Sequence, residues 1–559
     1  MTRPEKAWCL ALSAILALAT TLPFLLAYER QGADLRFTGS LFAVEDGNSY
    51  IAKMRRGAEG DWLFRSPYTA DKQTGVPAFL GYLLLGKLAS GRASHEQLVA
   101  LLQLARILAI PLVVFATYRF VSRFVLEGRW RKWATILAVA GGGLGWLVFL
   151  SGSASWLGSQ PLELYSPETF GFLAALTFPH LLLARAFLLL GLDAYLDSVV
   201  QPRSAWFAGV WFVLLALMQP LSVVAAAAAI GAHQILMHVR GRFVHQRPDV
   251  LRTLRPALIA LAVPVLMLGG YGLLLRQDPF LQTWAAQNIL TSPHPALYLL
   301  AYGLLLPLVI PGIRHAWNEE RSDSLLLIGW IVLLPLLAYA PTVIQRRLPE
   351  GGWVALATLA AIGLGTIRVG DANRTRFAGV TLALSAVSTA FLLFGAFRVA
   401  AAGISPAFRP AAQVAAFGWL AENAEPASVV LAAFATGNAL PAWAPEFVVI
   451  GHGPESSNLH ALAPRVNAYF SNSGDGQQAA ALLREFNVGY VMVSQAEREL
   501  GFDSALRPRS LTEVYTQGEV AIYRVSSDLP PVGRTPAGGL VAFSPVGAAR
   551  SSRGGEPAW

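Results

Sequence analysis

The sequence contains a single cysteine, Cys9, in 559 residues. One cysteine excludes both an intramolecular disulfide framework and a cysteine-ligated metal site. Charged residues are also scarce, at 14% of the chain, whereas 54% of the residues are hydrophobic and 15 are tryptophan. Because an average soluble protein carries about 25% charged residues, this balance predicts a membrane region with a smaller soluble part.

Several catalytic motifs are missing as well. The chain has no Gly-x-Ser-x-Gly nucleophile elbow, no P-loop and no zinc-protease helix. Gly451-His452-Gly453 follows a predicted strand, but it lacks the third glycine and the helix of a dinucleotide site. The net charge of +9 does not indicate nucleic-acid binding, because the basic residues lie between apolar runs, where contact with a membrane surface accounts for them.

Apolar runs recur throughout residues 1–400. The first, 7–28, follows Arg3 and Lys6 and is interpreted as an uncleaved transmembrane helix, because it is long and lacks the exit of a secretory signal. Most runs approach the roughly 20 residues that cross a bilayer, so about eleven spans are expected. A shorter run at 76–88 is expected to lie at the membrane interface. The other runs lie near 98–118, 133–150, 169–198, 205–218, 220–238, 256–275, 295–313, 323–340, 350–367 and 377–398.

The basic loops predict the orientation. With the N-terminus in the cytoplasm and 76–88 not spanning, the arginine-rich segments 119–132, 240–255, 314–321 and 368–374 are all cytoplasmic, as the positive-inside rule requires. The segment Gln219-Pro220 could be a kink in one span or the turn between two. Two spans preserve the charge pattern and place the C-terminal region outside the cytoplasm.

Residues 405–528 have the pattern of a soluble α/β domain. Strands are predicted at 428–432, 447–450 and 489–494, followed by a hairpin at 511–515 and 519–525. Helices are predicted at 411–423 and 477–486. The glycine-, proline- and serine-rich tail, 529–559, is predicted to be disordered.

The most informative motif is Glu45-Asp46, in a long first external loop at 29–97. Adjacent carboxylates at a membrane edge are suited to general-base or metal-assisted activation of a hydroxyl or amine. Asp46 could instead, or in addition, cap a helix that starts at Gly47-Asn48. That helix is predicted to be amphipathic and interfacial, with Tyr50, Met54 and Gly57 on one side and Lys53 and Arg56 on the other.

A second candidate is Gln345-Arg346-Arg347, followed by Glu350, between two spans on the external side. Arginines there oppose the positive-inside trend, so a compensating ligand is expected. Guanidinium groups bind phosphate in a bidentate manner, which suggests a lipid phosphate or pyrophosphate. Ordinary anionic headgroups are the alternative.

A third group combines Glu163, Tyr165 and Glu168 with His180, about one and a half turns inside an apolar helix, and His294, between two prolines. Together with the acidic loop they could hold a divalent metal such as Mg²⁺ or Mn²⁺, although their spacing is not diagnostic. Structural roles for both histidines are equally compatible with the sequence.

The acidic motif, the interfacial helices of the long first external loop, the many spans and the external C-terminal domain resemble the GT-C superfamily of integral-membrane glycosyltransferases. The resemblance covers residues 1–400 and implies an acidic catalytic residue, Asp46 with Glu45 as the competing candidate. It implies that Arg346 and Arg347, with Gln345 beside them, hold the phosphate of a lipid-linked donor. Tyr50, His180, Glu168 and His294 are the remaining candidate substrate-binding residues. The chain has Glu-Asp-Gly where Asp-Glu or Asp-Asp is commoner in this family.

The leading hypothesis is therefore a transferase in the cytoplasmic membrane that moves a hexose or pentose from a polyprenyl-phosphate donor to an extracytoplasmic lipid, glycan or protein. The alternative is a non-enzymatic carrier or scaffold for lipid-linked or anionic envelope substrates. Such a carrier could use the same arginines but would not need the Glu45-Asp46 pair. Transporters often carry interrupted helices in two corresponding halves, and the sequence shows no internal repeat.

Overall fold

The structure is a computed structural model that describes residues 1–526, apart from positions 90, 92, 244–248, 320 and 473–475. The predicted tail at 529–559 lies outside the described residues. The N-terminal part is helical except for the short strand β1 (Leu35–Phe37). Its helices are α1 (Arg3–Arg30), α2 (Val44–Ala58), α3 (Leu80–Lys87), α4 (His95–Phe124), α5 (Gly128–Ala140), α6 (Trp146–Leu150), α7 (Leu162–Tyr165), α8 (Gly171–Leu176), α9 (Pro179–Ser198), α10 (Ser204–Met218), α11 (Ser222–Phe243), α12 (Val250–Gln277), α13 (Pro279–Gln287), α14 (Pro295–Gly303), α15 (Leu306–Asn318), α16 (Ser324–Ala338), α17 (Gly352–Thr366) and α18 (Asp371–Ala402).

The chain is an integral membrane protein with many apolar helices. Among the described residues, six helices are long and apolar enough to cross a bilayer, or seven if the bent pair α14 and α15 forms one span. Helices α10 and α16 are apolar but shorter. This count does not confirm the expected number of about eleven spans, because several apolar runs are divided into shorter helices.

Three of these breaks lie at small or helix-breaking residues. The run at 133–150 is divided where α5 ends before Gly141 and α6 begins at Trp146. The run at 295–313 is bent by 79° between α14 and α15. Gln219-Pro220 separates α10 from α11, so 205–238 forms two helices, as the two-span interpretation requires. The run at 76–88 contains only the eight-residue helix α3, which is too short to cross.

Ion pairs gather the predicted cytoplasmic segments at one end of the helices. Arg131, at the start of α5, lies 3.0 Å from Glu5 in α1. Arg129 lies 2.6 Å from Asp371, the first residue of α18. At the opposite end, β1 pairs in antiparallel fashion with β2 (Phe408–Pro410), which follows α18. The 29–97 loop and the segment after α18 therefore meet at the other end of the bundle.

The C-terminal region is built on a five-stranded sheet of order β4-β3-β5-β7-β6, in which β3 is parallel to β4 and β5, and β7 is antiparallel to β5 and β6. Both helices and all the strands predicted there are present within a few residues of the expected bounds. The elements are α19 (Ala411–Asn423), β3 (Val429–Leu431), α20 (Phe434–Trp443), β4 (Phe447–Val448), α21 (Leu459–Ser471), α22 (Gly476–Glu485), β5 (Val488–Val493), α23 (Gln495–Glu499), β6 (Leu511–Gln517) and β7 (Val520–Val525), with 3₁₀ turns at Gln345–Arg347 and Ser504–Leu506.

The two faces of this sheet pack against different partners. Side chains alternate along each strand, so Val491 and Val493 face a cluster with α21 and α22, whereas Tyr490 and Met492 face the opposite way. The second face packs against α19 and α20 and also against Tyr68 of the 29–97 loop. This packing fixes the loop, and α2 within it, against the C-terminal region.

Candidate active site

A cavity of 1860 Å³ lies where the helical bundle, the 29–97 loop and the C-terminal region meet. Its wall is mostly apolar, with leucine, phenylalanine and tyrosine side chains from α3, α9, α10 and α12. The charged and polar candidates that line it are Glu45, Asp46, Tyr50, Glu168, His180, Arg346 and Arg347. Residues far apart in sequence are thus brought to one site.

The acidic pair occupies the first turn of α2. The helix begins at Val44, after Ala43 in the left-handed conformation (φ 46°), and no side chain caps its first turn. Asp46 is therefore the third residue of the helix, and the interpretation that it caps a helix starting at Gly47-Asn48 is wrong. A Cβ on Gly47 would lie 2.1 Å from Ser40 Oγ, so glycine is needed where the preceding turn folds back on α2. The positive end of the helix dipole favours both carboxylates here.

Asp46 faces the cavity, with 55% of its side chain exposed, and its Oδ1 lies 3.4 Å from His452 Nε2. Enclosure by the cavity walls opposes ionisation. The contact with His452 and the positive charges of His452, Arg347 and Lys53 outweigh that effect, so the pKa of Asp46 lies below its usual value. The carboxylate is therefore ionised at neutral pH.

Glu45 has a different environment. Its Oε1 accepts a hydrogen bond of 2.7 Å from the backbone N–H of Gly453. Burial raises the pKa of Glu45, more than the charge of His452 and the Gly453 bond lower it, and the charges of Asp46 and Glu455 raise it further. Glu45 thus holds the 451–457 turn, while Asp46 presents a free carboxylate edge to the cavity.

Lys53 is buried, although the sequence predicts it on the polar side of α2. It was expected on the solvent-facing polar side, but it is fully buried and its Nζ lies 2.5 Å from Glu455 Oε1. Glu455 also accepts a 2.7 Å hydrogen bond from Ser49 Oγ, and Lys53 contacts the same hydroxyl. The prediction is wrong because a carboxylate from the C-terminal region pairs with a lysine that α2 alone would leave in water.

The two arginines lie on another wall of the cavity. Arg347 Nε is 3.3 Å from Glu168 Oε1, and the guanidinium of Arg346 lies 4.7 Å from the centre of the Tyr165 ring. Among the ion pairs of the described residues, Arg346 has no carboxylate partner. The Tyr165 ring thus positions the guanidinium group of Arg346, whose charge remains available to a ligand.

Gln345 and His294 do not line the cavity. Gln345 Oε1 accepts a 3.1 Å hydrogen bond from the Ser292 backbone N–H. His294 is exposed, and its Nδ1 accepts a 3.2 Å hydrogen bond from the Ala296 backbone at the start of α14. Neither position fits the predicted contact with substrate; both side chains hold local backbone.

Tyr50 and His180 belong to one aromatic group with Tyr82. The Tyr50 ring stacks on Tyr82 at 4.3 Å, and His180 Nδ1 lies 2.6 Å from Tyr82 Oη. His180 is the second residue of α9 rather than deeper inside it. Tyr50, Tyr82 and His180 together form an aromatic part of the cavity wall.

The proposed metal-binding group does not assemble. Glu163 Oε1 accepts hydrogen bonds from the Gly145 backbone (2.6 Å) and from Ser388 (3.3 Å), away from both histidines. Within the part of the chain that the structure describes, no group of three histidine, cysteine or acidic side chains could hold a metal ion.

Sequence reasoning missed His452 and Glu455, which the C-terminal region contributes. Both are buried. The turn Gly451-His452-Gly453 after a strand was visible, but it was considered only as a nucleotide motif. The sequence gives no signal for Glu455, because its partner Lys53 is far away along the chain and its burial is known only from the structure.

The fold resembles solved membrane glycosyltransferases. The oligosaccharyltransferase of Archaeoglobus fulgidus in the apo form is 14% identical, with a TM-score of 0.55 over 95% of this chain and 76% of that one. The archaeal oligosaccharyltransferase AglB from Archaeoglobus fulgidus, in complex with an inhibitory peptide and a dolichol-phosphate, is 15% identical, with a TM-score of 0.53 over 88% of this chain and 70% of that one. The arabinofuranosyltransferase AftD from Mycobacteria is 14% identical (TM-score 0.56), with 92% of this chain matching 42% of that one.

No protein-family model matches the sequence, and comparison with curated proteins gives no match. The structural similarity alone shows that the chain has the fold of GT-C enzymes, which confirms the predicted fold class of a polytopic helical membrane protein with a C-terminal α/β part.

Proposed function

We propose that the protein is a membrane glycosyltransferase that moves a sugar from a polyprenyl-phosphate donor to an acceptor outside the cytoplasm. The observation that carries the proposal is that an ionised Asp46 and the guanidinium groups of Arg346 and Arg347 line one large, mostly apolar cavity. A lipid-linked sugar has matching parts: an apolar chain, a phosphate and a sugar.

The arginines are assigned to the donor phosphate. A guanidinium group forms paired hydrogen bonds with phosphate oxygens, and its charge stabilises the negative charge that grows on the leaving group. Glu168 and Tyr165 hold the two side chains in place. That AglB was solved with a dolichol-phosphate on the same fold supports a lipid phosphate as the anion.

Asp46 is assigned to the acceptor. In a single displacement, the acceptor oxygen or nitrogen forms a bond to the anomeric carbon as the carbon–oxygen bond to phosphate breaks. The acceptor proton passes to the Asp46 carboxylate, and polyprenyl phosphate leaves with the bonding electron pair. Attack from the face opposite to the phosphate inverts the anomeric configuration. The sugar rests against the Tyr50 and His180 wall.

The cavity lies at the end of the bundle opposite to the arginine-rich segments. By the positive-inside rule, this supports a cytoplasmic N-terminus and a catalytic cavity outside the cytoplasm. Residues 405–528 are then an extracytoplasmic domain that follows a membrane domain of 1–400.

A reconstituted transfer assay tests the proposal. Purified protein in liposomes is supplied with radiolabelled polyprenyl-phosphate hexoses and pentoses and with an envelope extract as the source of acceptor. We expect label in a new product whose anomeric configuration is inverted relative to the donor. Binding of donor without transfer to any acceptor fraction would favour a carrier or scaffold instead.

Arg346→Gln is expected to weaken use of the donor by about 10- to 100-fold in kcat/KM, because a hydrogen bond to a charged group contributes about 1.5–3 kcal/mol. Arg346 is the better position for this test, because removing Arg347 would also leave Glu168 without its ion-pair partner. The measurement is transfer rate against donor concentration, together with binding of polyprenyl phosphate.

Arg276→Gln is the matched control. Arg276 is exposed at the end of α12 and does not line the cavity. Its kinetics should equal those of the unmodified protein. The donor assignment is wrong if the transfer rates of Arg346→Gln and Arg276→Gln change only with the anionic lipid content of the liposomes. In that case the arginines bind lipid headgroups.

A further inference from the structure

His452 joins the C-terminal region to the acidic motif of α2. Its ring is buried, with Nε2 3.4 Å from Asp46 Oδ1 and Nδ1 3.8 Å from Glu455 Oε1. The turn that carries it is fixed, because Ser456 Oγ accepts hydrogen bonds from the backbone N–H groups of Gly451 (2.9 Å) and His452 (3.0 Å). The backbone that carries the imidazole is therefore held in place next to Asp46.

A row of alternating charges runs from the cavity into the protein. Asp46 is followed by His452, then by Glu455, and then by Lys53, whose Nζ lies 2.5 Å from Glu455. The two ends belong to α2 and the two middle members to the 451–457 turn. Because each member has an oppositely charged neighbour, the row is stable when the imidazole is protonated.

We infer that His452, as an imidazolium, is a positioning residue that holds the Asp46 carboxylate in the orientation that receives the acceptor proton, and that the C-terminal region thereby forms part of the active site. This inference rests on the proposed function. His452 acts through Asp46 and does not itself contact the reacting atoms.

The surroundings of His452 predict how its charge depends on pH. Asp46 and Glu45 face it from α2, Glu455 from its own turn, and the Tyr68 ring from the 29–97 loop at 5.4 Å. Lys53 lies behind Glu455 and pairs with that carboxylate. Burial opposes protonation, but the charge of Glu455, the contact with Asp46 and the charges of both α2 carboxylates outweigh it, so the pKa of His452 is raised. The folded protein therefore favours the imidazolium more than a free histidine would, and the charge is lost as the pH rises through that raised pKa.

The test is the pH profile of transfer by the full-length protein and by His452→Gln, with polyprenyl-phosphate sugar as donor. The unmodified protein should lose activity on the alkaline side. His452→Gln should lower kcat by about 10²-fold, as a displaced catalytic group does, leave the KM for donor unchanged and abolish the alkaline limb. His460→Gln, on the exposed face of α21 in the same region, should behave as the unmodified protein.

A full rate and an unchanged profile in His452→Gln would overturn the inference while leaving the proposed function intact. Absence of transfer by the unmodified protein would instead overturn the proposed function. If His452→Gln fails to fold, as judged by thermal unfolding in detergent, the pH profile of the unmodified protein still tests the inference. A flat alkaline profile contradicts the imidazolium role.

Discussion

Asp46→Asn is expected to lower the rate of sugar transfer by about 10²- to 10⁴-fold, the usual contribution of a positioned general base. Asparagine keeps the size of the side chain and can still contact His452, but it cannot accept the acceptor proton. Binding of polyprenyl phosphate should change little, because Arg346 and Arg347 remain. The measurement is kcat from the reconstituted assay, with a parallel binding experiment for polyprenyl phosphate.

Asp34→Asn and Glu45→Gln are the comparisons for this variant. Asp34 is exposed in the same 29–97 loop, so its replacement should leave transfer unchanged. Glu45→Gln keeps an oxygen for the Gly453 N–H bond, and we expect a smaller loss than for Asp46→Asn. A larger loss for Glu45→Gln would reverse the assignment of the base.

Local patterns predicted much of the C-terminal region. Helix α19 has the predicted bounds, Ala411–Asn423, and the hairpin of β6 and β7 is at its predicted place. The reason is physical: a half-buried strand alternates apolar and polar residues, and a helix on a sheet repeats every three to four residues. The acidic motif was also visible, because two carboxylates beside a membrane are costly without a use.

Long-range partners could not be predicted in this way. The amphipathic pattern of α2 predicts that Lys53 is exposed. The sequence near α2 does not reveal its partner, Glu455, which lies in a turn of the C-terminal region. His452 was missed for the same reason. The expected number of about eleven spans is also not confirmed by the count of long helices, because composition records apolar length but not the bend between α14 and α15.

Lys53→Met is expected to destabilise the protein by about 3–5 kcal/mol, because removing one partner of a buried ion pair leaves the other charge buried and unpaired. The Lys53 ammonium lies 4.3 Å from the centre of the Phe79 ring, so methionine places an apolar group of similar length against that ring. The pKa of Glu455 is lowered despite burial, mainly by the charges of Lys53 and His452. The stability that Lys53 supplies is thus present above the unfolded pKa of Glu455 and is lost as the pH falls through its lowered folded value. Denaturant unfolding in detergent at neutral and acidic pH measures both effects.

The double variant Lys53→Met/Glu455→Met distinguishes the contribution of the ion pair to stability from the cost of a buried, unpaired charge. Replacing a buried pair by apolar side chains is often neutral, so the double variant should regain most of the lost stability while transfer stays low, because His452 has lost Glu455. The exposed pair Arg465–Glu485 has the same N–O distance of 2.5 Å, and Arg465→Met should cost less than about 1 kcal/mol. Ser66 Oγ also donates to Glu455, at 3.3 Å from Oε2. A double variant less stable than Lys53→Met would mean that Glu455 stabilises the protein through Ser49 and Ser66 rather than through Lys53. Active transfer in a stable double variant would mean that Asp46 does not depend on the charges behind it.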